Sequence, residues 1–244
     1  MASRPWGVRC GKIAYPLVLQ SGMWRSALAL LPLLVACPKA TPPAPETLDE
    51  RMLQHFGYGT EAHDAIILGD LGKAQAAGAA LAKLEPLEGT PEAWKPDLAA
   101  VRAAAAALAG APTLAEAARR MTALGTACAA CHIRTGNGPK APAADYKTES
   151  AIPTEPMQRH EWATLWVWYG LISADNAAYD AGLATLAEPP TWDPRTDNTT
   201  FAGLQMRVKD LAASPATTAA DRAALYGELL ATCSACHDRY KREK

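Results

Sequence analysis

The sequence predicts an all-α fold: two tandem, duplicated four-helix bundles of up-down-up-down topology. Alanine supplies 53 of the 244 residues and runs of β-branched residues are scarce, which favours helix and argues against a β-sandwich. Helix-capping signals recur at helix-length intervals. The chain also repeats itself. Cys128-Ala129-Ala130-Cys131-His132 returns 105 residues later as Cys233-Ser234-Ala235-Cys236-His237, and a fixed offset of that kind marks a duplicated unit. At the same offset Met52 falls on Met157, His55 on His160, Asp70 on Asp175, Leu81 on Leu186, Thr113 on Thr218, Glu116 on Asp221 and Leu124 on Leu229.

The first repeat, 47–135, reads as four helices. Thr47-x-x-Glu50 is a capping box that opens a helix to about Leu68, stopped by Gly69. A second helix runs from about Leu71 to Leu84 and halts before Pro86. Thr90, with Pro91 at the first helical position, starts a third through the alanine-rich 97–109, closed by Gly110. Thr113-x-x-Glu116 caps the fourth, which carries the cysteine motif near its end. The second repeat, 155–244, reads as helices over about 155–173, 175–187, 198–213 and 218–240. Residues 136–154, with Gly136, Gly138, Pro139, Pro142 and Pro153, form the linker. Short connections favour antiparallel neighbours.

Residues 1–36 are chemically distinct, holding Arg4, Arg9, Lys12 and Arg25 and no acid. The apolar run 26–36 falls well short of the ~20 residues a membrane-spanning helix needs and fits the core of a secretory signal. Met23-Trp24-Arg25 makes a sufficient positive start, so Met23 is the expected initiator. The run ends in Leu34-Val35-Ala36-Cys37, which resembles the lipobox of bacterial lipoproteins. That resemblance implies diacylation of Cys37 as the first mature residue. Pro38, in place of an aspartate, implies the outer membrane by analogy. The expected location is therefore the periplasm, with a lipid anchor; an ordinary cleaved signal ranks second. Residues 37–46 form a stiff Pro-rich spacer. With 24 basic and 25 acidic residues and no basic run, the charge balance argues against nucleic acid as the main partner.

C-x-x-C-H is the attachment signature of c-type haem. Two thiols three apart lie on one helical face, where both can add to the vinyl groups of one porphyrin, and the adjacent histidine reaches the iron as proximal ligand. Cys128, Cys131, Cys233 and Cys236 are thus the expected covalent haem sites, and His132 and His237 the proximal ligands, for two haem c groups. A structural zinc site would place its pairs about 15–20 residues apart. A thioredoxin-like pair needs a βαβ setting, and a disulfide within C-x-x-C on a helix constrains almost nothing. The porphyrin would also supply apolar volume that alanine and only two phenylalanines do not.

Met52-x-x-His55-Phe56, the Gly69-Asp70 turn, Trp94 after Gly89-Thr90-Pro91 and the terminal C-x-x-C-H resemble the cytochrome c′-type four-helix family over about 47–135 and 155–240. In the second repeat Glu161 and Ala174 stand where the first has Phe56 and Gly69. In an up-down-up-down bundle the first helix begins where the fourth ends. His55 and Met52 are then expected opposite His132, and His160 and Met157 opposite His237. His55 and His160 are the favoured distal ligands, with Met52 and Met157 as alternatives. His63 reads as a surface or packing residue, and Trp162 and Trp166 as core. Arg119 and Arg120 read either as propionate partners or as a solvated face.

The expected function is single-electron transfer to redox protein partners by a membrane-anchored, non-enzymatic di-haem cytochrome. The alternative is a binder or sensor of small gases (NO or CO) at an open distal site, as the resemblance also permits. A di-haem peroxidase ranks below both.

Overall fold

The computed structural model describes residues 47–140, 144–148, 151–188 and 199–242. The signal segment, the proposed lipidation site Cys37 and the Pro-rich spacer lie outside them. The described residues belong to one compact unit, Pro45–Lys244, and are all-helical, with no strand among them.

In the first repeat, α1 (Leu48–Ile67) starts at Thr47 with the predicted reciprocal cap. Glu50 N donates to Thr47 Oγ1 at 3.2 Å and Thr47 N donates to Glu50 Oε2 at 2.8 Å. Gly69 turns the chain at φ +68°, and Asp70 caps α2 (Leu71–Ala82) by accepting from Lys73 N. The third helix begins later than the sequence predicts. Pro91 is extended, residues Glu92–Trp94 form a single 3-10 turn, and α3 is Lys95–Ala109. Pro96, not Pro91, occupies its first turn, where a missing N–H loses no bond. Thr113 caps α4 (Leu114–Thr135). The Glu116 carboxylate takes Arg119 and Arg120 instead of completing the box, and Arg120 also donates to the Ala107 carbonyl of α3, so both arginines are engaged within the protein.

The linker is not bare connection: it holds a short helix, α5 (Ala144–Lys147). Buried Tyr146 docks it, its hydroxyl donating to Asp175 Oδ2 at 2.9 Å and its ring lying 5.1 Å from Trp166. The second repeat then follows as α6 (Pro156–Ser173), α7 (Asn176–Leu186), α8 (Thr199–Ala212) and α9 (Ala219–Arg242). Glu155 caps α6 and Asp175 caps α7. Thr218 and Asp221 form a full box at the start of α9, Asp221 N donating to Thr218 Oγ1 and Thr218 N to Asp221 Oδ2.

Where the first repeat has Gly69, Ala174 takes the same left-handed conformation, φ 55° and ψ 28°. An L side chain there costs about 1 kcal/mol or more. Ala174→Gly is expected to stabilise the fold by up to about 1 kcal/mol, read as a Tm rise of about 2–4 °C in thermal melts.

Consecutive helices pack side by side within each repeat, and α4 lies against α9, α4 against α6, and α1 against α9. This pattern is a pseudo-two-fold relation, for α1 corresponds to α6 and α4 to α9. Residues 105 apart meet on its axis: His63 stacks on Trp168 at 5.8 Å, and a Cβ at Gly227 would run into Thr122 Oγ1. Tyr226 stacks on both rings, at 5.9 Å from His63 and 5.6 Å from Trp168. One continuous core therefore runs through both repeats, from Leu81 and Leu108 through Met121 and Trp168 to Leu186 and Leu230. Among the described residues the tryptophan wholly inside is Trp168; Trp162 and Trp166 are half-buried, edge to face. His63 is the packing residue of its two readings, 1% exposed.

Candidate functional site

The last turns of α4 present Cys128, Cys131 and His132 along one side. Cys128 and Cys131 are buried, and His132 is half-buried. The same turns of α9 present Cys233, Cys236 and His237, all half-buried. None of these four cysteines is in a disulfide. Burial, with the neighbouring Cys131 adding, pushes the Cys128 thiol up to about 12. Cys233 rises to about 12 by burial and the charge of Cys236. Burial raises Cys131 and Cys236 as well. These thiols stay protonated at neutral pH, which suppresses disulfide exchange.

His132 is oriented by two backbone segments. Its Nδ1 lies 2.6 Å from the carbonyl oxygen of Ile172, near the end of α6 in the other repeat. A carbonyl only accepts, so Nδ1 carries the hydrogen and Nε2 keeps its lone pair. The chain after α4 turns at Gly136 (φ +69°) and lays Gly138 on the ring. A Cβ at Gly138 would stand 2.8 Å from His132 Cβ and 3.0 Å from Cγ. Burial lowers the His132 pKa and the Ile172 bond opposes it in part, leaving a neutral imidazole in the tautomer suited to donate from Nε2.

The start of α1 meets this end of α4. His55 is pushed down to about 4, first by burial and then by the charge of His132, so the two imidazoles stand within electrostatic reach. The second repeat reproduces the arrangement. Burial lowers His160, and His237 is lowered by burial, then by Lys241 and by His160 itself. Each expected distal histidine thus stands near enough to its expected proximal partner for their charges to be felt. The methionines divide: Met52 lines the same recess as His55, with Arg51, Leu84, Pro86 and Thr90, whereas Met157 is 53% exposed.

The residues fit a covalently held haem. Each end offers two thiols one turn apart, a neutral imidazole beside them and a second imidazole across from it. Thr90 Oγ1, in the His55 recess, is buried without a hydrogen-bond partner among the described residues, a polar atom left for a bound group to satisfy. Beside Cys233 lies an apolar recess of Val167, Leu186, Leu229 and Leu230, with Thr164 and Tyr226. Among the described residues no three His, Cys, Asp or Glu side chains converge on a bare metal-ion site, and no described helix is long and apolar enough to cross a membrane.

Three features escape the sequence reading. The Ile172 carbonyl is a backbone acceptor without side-chain signature. Gly138 looks like ordinary linker glycine. His63 forms a buried pair with Tyr226, Nδ1 to hydroxyl at 2.7 Å; the only signal was its alignment with Trp168 at the repeat offset. Comparison with protein-family models, curated proteins and solved structures found no match to this chain.

Proposed function

We propose that the chain is a di-haem c-type cytochrome of two cytochrome c′-like four-helix bundles, tethered through a lipid on Cys37 at the periplasmic face of the outer membrane. It would pass single electrons between redox proteins. The observation that carries this reading is the twice-repeated setting of a C-x-x-C-H turn with a second histidine near the first.

A bound haem supplies reversible one-electron exchange at its iron. The chain's own residues hold and shape it. Cys128 and Cys131, and Cys233 and Cys236, would hold it through their sulfurs, which would keep the cofactor from escaping outside the cytoplasm. His132 and His237 would present neutral imidazole, with His55 and His160 near them. The reading requires no side chain to make or break a substrate bond. A second histidine near each C-x-x-C-H histidine favours electron transfer over the open site that gas binding needs.

Mass spectrometry of the mature protein, made with a working haem-attachment system, tests it in one measurement. The expected mass includes two haems and a diacylated amino terminus at Cys37, with a low-spin spectrum unaltered by carbon monoxide. A colourless protein with four free thiols rejects the reading. A high-spin spectrum that shifts with carbon monoxide would move the function to gas binding.

A further inference from the structure

On that di-haem reading, we infer that the two iron sites are unequal. The Ile172 carbonyl of the second repeat, with Gly138 against the ring, makes His132 the stronger donor and gives the first repeat the lower reduction potential, so electrons pass from the first repeat to the second. An imidazole whose Nδ1–H is held by an acceptor becomes a more basic ligand, and a more basic ligand favours the ferric state. Among the described residues the His237 ring has no such acceptor. Where the first repeat has Gly136, the second has Lys241 one helical turn beyond His237. Its ammonium charge favours the reduced state of a nearby iron, partly offset by Asp70, which feels the same charge. Both differences act in one direction.

The step itself is an electron transfer without atom movement. One electron leaves the iron site at His132, oxidising it, and reduces the site at His237. The Nδ1 proton stays between His132 and Ile172. Because the acceptor belongs to α6, the potential of the first site depends on the docking of the other repeat. Ile172 is a positioning residue acting through its backbone.

Spectroelectrochemical titration of the holoprotein is the test, after mass spectrometry has counted the haems. Two one-electron waves are expected, separated by at least a tenfold equilibrium preference, about 59 mV. Gly138 is not among the positive-φ glycines, so a side chain there meets the His132 ring without backbone strain. Gly138→Val should disturb the Nδ1 bond and lift the lower wave while leaving the upper one in place. A single unresolved wave, a shift of the upper wave or no shift in the variant overturns the inference. NMR of the reduced, unsubstituted protein supplies a readout that does not depend on the variant folding. The His132 Nδ1 proton should persist in D2O while that of His237 exchanges; equal exchange at both rings overturns the inference. Absence of haem would instead overturn the di-haem reading, a separate result.

Discussion

If the chain holds two haems as proposed, His55→Ala is expected to convert one of them from low spin to high spin, and His160→Ala to do the same to the other. Each variant should also gain a carbon monoxide response of half the full amplitude. The argument rests on placement. His55 is buried enough for its pKa to fall to about 4, and the charge of His132 adds to that fall. An imidazole so placed is neutral at pH 7 and holds a lone pair, the form that binds iron. Met52 shares the recess and is the residue to compare. Met52→Leu should leave the spectrum unchanged. If both alanine variants keep the parent spectrum, the histidine assignment is lost, and conversion by Met52→Leu would transfer it to methionine in the first repeat. Exposed Met157 makes that exchange harder to accept in the second.

The second large effect is on acid stability, through His63. This ring is fully buried, and burial pushes its pKa down from 6.5 to about 3. It packs against both Trp168 and Tyr226, its Nδ1 against the Tyr226 hydroxyl at 2.7 Å. The sign follows from which state binds the proton. The folded pKa lies below the unfolded one, so between about pH 3 and 6.5 the unfolded chain holds the extra proton. Stability is complete above pH 6.5 and declines as the pH falls, by about 1.4 kcal/mol per pH unit from this one group. Near pH 4 the loss reaches roughly 3 kcal/mol. Urea denaturation at a series of pH values measures it. His63→Gln keeps an acceptor for Tyr226 while removing the titration, so its stability profile should be flatter by about one proton between pH 6 and 4. Parallel profiles would show that His63 is not protonated on unfolding. Because these rings lie on the contact between repeats, both repeats should unfold in the same transition.

Most of the helix plan was legible because its punctuation is local. Thr47 with Glu50, Asp70, Thr113, Gly110 and Thr218 with Asp221 each mark a boundary through a side chain or a missing one, and the structure uses each where it stands. Pro91 misled because proline fits both the first turn of a helix and the extended residue before one. The helix at Ala144–Lys147 is one turn long, too short for periodicity to register, and is held by Tyr146 reaching a residue far along the chain. The histidines of the candidate site were legible from the repeat offset. Their setting was not: the partner of His132 is a main-chain oxygen of another helix, and His63 acquires meaning only once its own repeat-mate lies against it.

The join between the repeats has a further consequence. At its centre a threonine, Thr122, fills the space left by a glycine, Gly227, and an imidazole rests on an indole. Like would not fit like: two first repeats would set threonine on threonine, and two second repeats would set one bulky indole against another. A gene cut in the linker would therefore yield two unlike polypeptides, each shaped for the other and mismatched with a copy of itself.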